Sequence, residues 1–374
     1  MEAENRSVTP PVEFLIGSAM RHYVTTVLPM WRSSGFNPEL KLPFEAVSSV
    51  DCQPLPASRY RAMACARQLF VFSRAGELDH ADKLFESLLR HFRDKTRGGW
   101  YFSIGPDCTP LDTTKDLYTH AFVVFACSEY LLRSGVGEAE QVVRETTSLI
   151  EDRFSAGVGG GLLNGALDRD FNRVLMPPVQ NPIMHLAEAY LAASAAIGDA
   201  SFEELLLRIG RVVENTFLDR STGCILEMPQ DSAGNRIEPG HQFEWFYLVR
   251  SGSFDWAGEQ LGESISRAFG FAQRNGIDPA TNGVCAALNL DGSVQDHTQR
   301  IWAQTEYLRA LTMNVDSDSN RTLAELIFHF NSRFLSEKGW HECLSPNGQI
   351  VRSDMPSTTP YHLCTAYSEL QRIV

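Results

Sequence analysis

The hydrophobic and polar positions along this chain follow two helical patterns in alternation. Residues 79–94, "DHADKLFESLLRHFRD", keep Ala81, Leu84, Phe85, Leu88 and Phe92 on one side and most of the charges on the other. Such a stripe predicts a helix with one buried face, and residues 201–218, 255–275 and 319–335 repeat it. The segments between them differ. "ARQLFVFSRAG", "THAFVVFACSEYLLRSG", "NPIMHLAEAYLAASAAIGD", "HQFEWFYLVRSG", "RIWAQTEYLRAL" and "YHLCTAYSEL" are apolar nearly all round, the mark of helices buried on every side. Counting both kinds predicts twelve helices, six buried and six amphipathic.

Turn-rich, glycine-marked segments separate these helices at a regular interval. With Gly35, Gly99, Gly160, Gly223, Gly283 and Gly339 as markers, the gaps are 64, 61, 63, 60 and 56 residues. A fixed period decides the architecture. Six units, each with an inner and an outer helix, predict an all-α (α/α)6 barrel with short β-hairpin-like loops at one mouth. An open solenoid of helix pairs is the alternative, but inner helices apolar on both faces require closure around a filled centre. Residues 1–374 are expected to form one catalytic barrel domain.

Composition narrows the function. A net charge of −13 with no run of lysine and arginine argues against nucleic acid as a partner. The start, "MEAENRSVTPPVEF", has no apolar stretch of signal-peptide length, and no apolar run approaches the roughly eighteen residues of a membrane span. Eight cysteines lie scattered without CxxC pairs, several inside apolar helical patterns, so neither a disulfide framework nor a zinc module is expected. The expectation is a cytoplasmic monomer or homodimer.

The chemistry concentrates where the inner helices begin. Arg67, Tyr118 with His120, Asn181 with His185, His241 with Glu244, Trp302 with Glu306, and His362 all interrupt apolar segments near their starts. In a closed barrel these positions are expected to converge on one funnel at the hairpin mouth. Each alone could be structural; His241 and Glu244 in "PGHQFEW" could be a polar helix end that caps itself. Convergence from six units favours function, because buried polar groups cost free energy unless partnered. Three histidines can exchange protons near neutral pH. A helix N-terminus disfavours the imidazolium, so His241 is expected to be neutral and able to act as a base. Arg67 offers fixed positive charge, and Tyr118 and Trp302 suit a polyhydroxylated ring. HExxH and closely paired metal-binding motifs are absent, and "GVGGGLLNG" leads into a hairpin-like stretch instead of a helix, so neither a metal nor a nucleotide cofactor is expected.

With these motifs in order, the chain resembles the N-acylglucosamine 2-epimerase superfamily over about residues 15–370. "GGWYFS…DTTKDLYTHAFVVFACSEY", "NPIMHLAEAYLAA", "PGHQFEW", "RIWAQTE" and "GWHECLSPNG…YHLCTAYSE" carry the likeness. "RIWAQTE" resembles the mannose isomerase branch, and "RIW" departs from the paired tryptophans of the cellobiose epimerases. The resemblance implies cofactor-independent proton transfer at C2 of a reducing sugar. His241 and His362 match the family's acid/base histidines, and His185 matches one associated with binding and ring opening. Arg67, Tyr118, Asn181, Glu244, Trp302 and Glu306 match its substrate contacts. An aldose–ketose isomerase on mannose or a related hexose is the leading expectation. A 2-epimerase on an N-acylhexosamine or a free sugar follows, and a glycoside hydrolase on the same barrel is more distant.

Overall fold

The computed structural model describes residues 10–157, 161–252, 254–313 and 317–373. The repeat marker Gly160 and the polar start at residues 1–9 lie outside the described residues. Helices α1 (Val12–His22) and α2 (Leu28–Arg32) are joined by a π-helical turn, Tyr23–Val27, into one element. After it come α3 (Ala62–Arg74), α4 (Leu78–Ser87), α5 (Leu117–Ser134), α6 (Gly137–Arg153), α7 (Gln180–Ile197) and α8 (Ser201–Thr216). The chain continues through α9 (Pro239–Ser251), α10 (Gly258–Gly276), α11 (Ile301–Leu311), α12 (Ser317–Phe334) and α13 (Thr359–Leu370). Taking α1 and α2 as one, the described residues form twelve helices, the number that the pattern predicts.

Helices α3, α5, α7, α9, α11 and α13 pack in sequence, and α13 returns to α3, so the inner ring closes. This is the (α/α)6 barrel. Inner helices are buried over most of their length, whereas α8 buries Phe202, Leu206, Ile209, Val212 and Val213 and turns Glu203 and Glu204 outward. One predicted boundary is corrected: the helix expected over 79–94 ends at Ser87, and Leu88–Phe92 form a second π-helical turn. Short links join α3, α5 and α7 to the outer helices that follow them. Gly135 and Gly198, at φ of 71° and 73°, end α5 and α7 in the left-handed conformation that stops a helix without a Cβ clash.

The long links lead into the inner helices and carry the small sheets. Strand Ser103–Ile104 pairs with Pro110–Asp112 as a hairpin, and also with Tyr60–Arg61, the lead-in to α3. Ala166–Leu167 likewise pairs with Lys115–Asp116 before α5, and Cys343–Leu344 with Gln299–Arg300 before α11. Each hairpin thus stitches its own unit to the start of the preceding inner helix. Asp354–Pro356 pairs with Ala46–Ser48 and ties the last unit to the first. The stitching holds six helix N-termini around one opening.

Candidate active site

That opening leads into a cavity of about 660 Å³. Arg67, Tyr118, Asn181, His185, His241, Glu244, Trp302 and His362 all line it, one or two from each inner helix. Two expected groups do not. His120 is fully buried elsewhere, its Nδ1 2.8 Å from the Asp116 carbonyl and its Nε2 accepting from the Trp100 amide at 3.1 Å. At 3.6 residues per turn, His120 stands about 200° around α5 from Tyr118, so both cannot face one funnel. Glu306 lies one turn below Trp302, fully buried, and touches His362 instead of the cavity.

His241 is the third residue of α9, and its Nδ1 meets side chains from other segments instead of the backbone of the helix start. Its Nδ1 lies 2.8 Å from Glu227 Oε1 and 3.7 Å from Glu238 Oε2. The indole N–H of Trp245 donates to Gln180 Oε1 at 2.8 Å, which turns the Gln180 amide NH2 toward Glu227 at 3.1 Å. The same NH2 nitrogen lies 2.9 Å from His241 Nδ1, but the Glu227 carboxylate can only accept, so Nδ1–H of His241 donates to Glu227 at 2.8 Å. Burial alone would lower the imidazole, but the Glu227 and Glu238 carboxylates outweigh it and raise His241 to about 9. The expected neutral His241 is therefore corrected: two carboxylates within 3.7 Å override the helix N-terminus, and the ring is a cation at neutral pH. Gly240 makes room for this arrangement. A Cβ there would stand 2.6 Å from the Trp302 ring, which lies tilted against His241 with centroids 4.9 Å apart.

His362 has the opposite character. Burial lowers it, and the bond from Nδ1 to Glu306 at 2.8 Å only partly offsets the effect. Donation of Nδ1–H to Glu306 leaves Nε2 as the lone-pair nitrogen. Below the cavity, Arg309 donates to Glu306 at 3.3 Å and to Glu188 at 3.0 Å. Glu188 also takes the Tyr361 hydroxyl and His185 Nδ1, the latter at 3.3 Å. Burial raises Glu188, but Arg309 and its other donors bring it down to about 2. His185 is lowered to about 4, chiefly by burial. Arg67 donates to the Tyr118 hydroxyl at 2.6 Å, with its guanidinium over the rings of Phe122 and Tyr361.

Glu188, Glu227, Tyr361 and Arg309 are site residues that sequence reading missed. Glu188 and Arg309 had a signal: charges three residues after His185 and Glu306 inside otherwise apolar helices. Glu227 had none, because it sits in an irregular link whose approach to α9 depends on the folded loop.

Among the described residues, two sets of groups that could hold a metal each have their ligand atoms within 4.8 Å of one another, His185 with Glu188 and Glu244, and His241 with Glu227 and Glu238. Glu188 is engaged by Arg309 and Tyr361, Glu238 by Arg236, and Glu227 by Gln180. Either set would have to shed those donors to surround a cation.

The N-acylglucosamine 2-epimerase family profile matches residues 44–366. A mannose-6-phosphate isomerase of Rhizobium meliloti (strain 1021) is 28% identical over 92% of this chain and 93% of its own length. A cellobiose 2-epimerase of Eubacterium cellulosolvens is 32% identical over 76% of this chain and 79% of its own. Among solved structures, the cellobiose 2-epimerase of Bacillus thermoamylovorans B4167 superposes with a TM-score of 0.86 at 17% identity, covering 97% of this chain and all of that one. A D-mannose isomerase superposes with a TM-score of 0.82 at 19% identity over 100% of both chains. Among the described residues no helix is long and apolar enough to cross a membrane. By sequence, and with a barrel whose inner-helix starts meet at one histidine-bearing cavity, this chain belongs to the N-acylglucosamine 2-epimerase family and is a carbohydrate isomerase or 2-epimerase.

Proposed function

We propose that the protein interconverts an aldohexose, mannose or a close relative, with its ketose by histidine-mediated proton transfer at C2, without a cofactor. The observation that carries this reading is a pair of histidines at one cavity in opposite surroundings: two carboxylates lie within 3.7 Å of His241 Nδ1, whereas His362 meets only Glu306, which Arg309 also engages. Neutral His362 is suited to take a proton and cationic His241 to give one.

In the open-chain aldose, the aldehyde acidifies the C2 proton. His362 removes it, the C2 electrons form the C1–C2 double bond, and O1 takes its proton from His241. Arg67 faces the negative charge that develops on the oxygens. His362 then returns its proton to C1 while His241 recovers one from O2, which leaves the ketone at C2 and both histidines as they began. Delivery of a proton to the opposite face of C2 would instead give the 2-epimer. A hydrolase needs two carboxylates flanking the scissile bond. Of the candidates Glu244 and Glu306, only Glu244 lines the cavity, and the other carboxyls there, Glu45, Glu227, Glu238, Glu342 and Asp354, are each held by a donor, which weighs against hydrolysis.

A second reading, a phosphorylated hexose as substrate, is favoured by two arginines of the cavity wall. Six arginines line it beside six acidic residues. Arg61, Arg236 and Arg352 are paired with Glu45, Glu238 and Asp354. Among the described residues, Arg59 and Arg300 have no carboxylate at ion-pair distance and lie over the rings of Phe102 and Trp302. The name of the Rhizobium meliloti relative agrees with this reading.

One experiment tests both. Mannose, glucose, fructose, N-acetylmannosamine and mannose 6-phosphate are incubated with the protein in deuterated water and followed by NMR. A ketose product with deuterium at C1 supports the proposal. Deuterium at C2 with an epimer as product replaces isomerisation by epimerisation, and exchange with none of the sugars refutes both.

A further inference from the structure

Among the described residues, Glu244 is the one cavity carboxylate with no hydrogen-bond donor on either oxygen. It is 1% exposed, it lines the cavity from the second turn of α9, and neither oxygen has a hydrogen-bond partner among the described residues. Every other carboxyl in that neighbourhood is tied: Glu188 and Glu306 by Arg309, Glu227 by His241 and Gln180. A buried carboxylate without donors is costly, whereas the same group as a neutral acid can donate to whatever fills the cavity. Burial raises its affinity for a proton, and the charges of Glu306 and Glu188 raise it further, more than His241 and Arg309 lower it. His185 stands next to it, Nδ1 3.7 Å from Glu244 Oε1, with Nδ1 also 3.3 Å from Glu188.

We infer that Glu244 is a standing carboxylic acid that opens the ring of the bound sugar, and that the protein therefore interconverts anomers as an activity separate from the chemistry at C2. The inference rests on a cyclic reducing sugar occupying the cavity, as in the proposed function. His185, holding Nδ1–H toward Glu188, keeps a lone pair on Nε2. It takes the proton of the anomeric hydroxyl as the C1–O1 bond becomes a carbonyl. The C1–O5 bond breaks, and O5 takes the proton of Glu244. The open sugar then lies beside a carboxylate and an imidazolium. Reclosure reverses each transfer, with O5 free to attack either face of C1, and returns both groups to their starting states. Burial lowers His185 to about 4, which keeps it unprotonated at neutral pH and ready for this step.

The test measures α-to-β exchange of mannose by NMR exchange spectroscopy with the wild type, Glu244→Gln and Glu244→Asp. Infrared spectroscopy of the free protein at neutral pH follows the carbonyl stretch of a protonated carboxyl. The wild type should accelerate anomer exchange and show that band. Glu244→Gln should lose the band and roughly 10² or more of the acceleration, and Glu244→Asp should retain part of it. Glutamine keeps the shape and breaks no existing bond, so the melting temperature should hold; if it falls, the wild-type band and the aspartate variant still decide. A wild type without the band, or Glu244→Gln exchanging anomers at the full rate, overturns the inference. Ketose formation without accelerated anomer exchange also overturns it while leaving the proposed function standing. Glu244-dependent anomer exchange with no exchange at C2 has the reverse meaning: the inference holds and the proposed function fails.

Discussion

Glu227→Gln isolates the charge that sets the state of His241. Glutamine keeps an oxygen that can accept Nδ1–H at 2.8 Å and nearly the same shape, but removes the nearer of two carboxylates. The remaining one, Glu238, is 3.7 Å away and shares its charge with Arg236. Burial should then dominate and carry His241 below neutrality. Two consequences follow. The folded-state value of His241, about 9, lies above the 6.5 of an unperturbed histidine, so its contribution to stability is complete below pH 6.5 and is lost as pH rises through 9. That contribution is on the order of 3 kcal/mol in the wild type, and it should largely disappear in the variant. Turnover near neutral pH should fall by roughly 10²–10⁴, the usual scale for a lost general acid, and recover in part at lower pH. NMR titration of labelled histidine, thermal unfolding against pH and the pH profile of kcat read these effects separately. If His241 still titrates near 9 and kcat is unchanged, Glu227 does not hold its proton and the assignment of His241 as the acid is wrong.

His362→Ala should lower turnover by roughly 10²–10⁴ in the ketose assay, and retention of more than about a tenth of wild-type activity would remove it as the base. Arg309→Leu strands Glu188 and Glu306 without their shared cation and should cost about 3–5 kcal/mol in denaturant unfolding; an unchanged midpoint would show that the network beneath the cavity is not structural. Gly240→Ala drives a Cβ to within 2.6 Å of Trp302 and should cost about 1–3 kcal/mol while raising KM, whereas wild-type KM would mean that Trp302 yields freely. Extended dialysis against a chelator should leave turnover intact, and loss that a divalent ion restores would establish a metal requirement.

The architecture was legible in the chain because it depends on patterns that repeat. A sixty-residue period and two kinds of helical stripe suffice to predict a closed ring, since helices apolar on all sides have nowhere to go but inside one. Eight of the ten residues expected at the funnel line the cavity for the same reason: each stands near an inner-helix start, and every such start opens on the same mouth. Rotation about a helix axis and depth along it were less legible. His120 and Glu306 fell near the right helix starts, one on the wrong side of α5 and the other a turn too deep. Only the tertiary structure decided the proton states. Glu227 approaches His241 from a link without periodicity, and Arg309 ties Glu188 and Glu306 across two inner helices while leaving Glu244 untied. A titratable group responds to charges within a few ångströms and to the water it has lost, and both quantities come into being only when distant segments pack together.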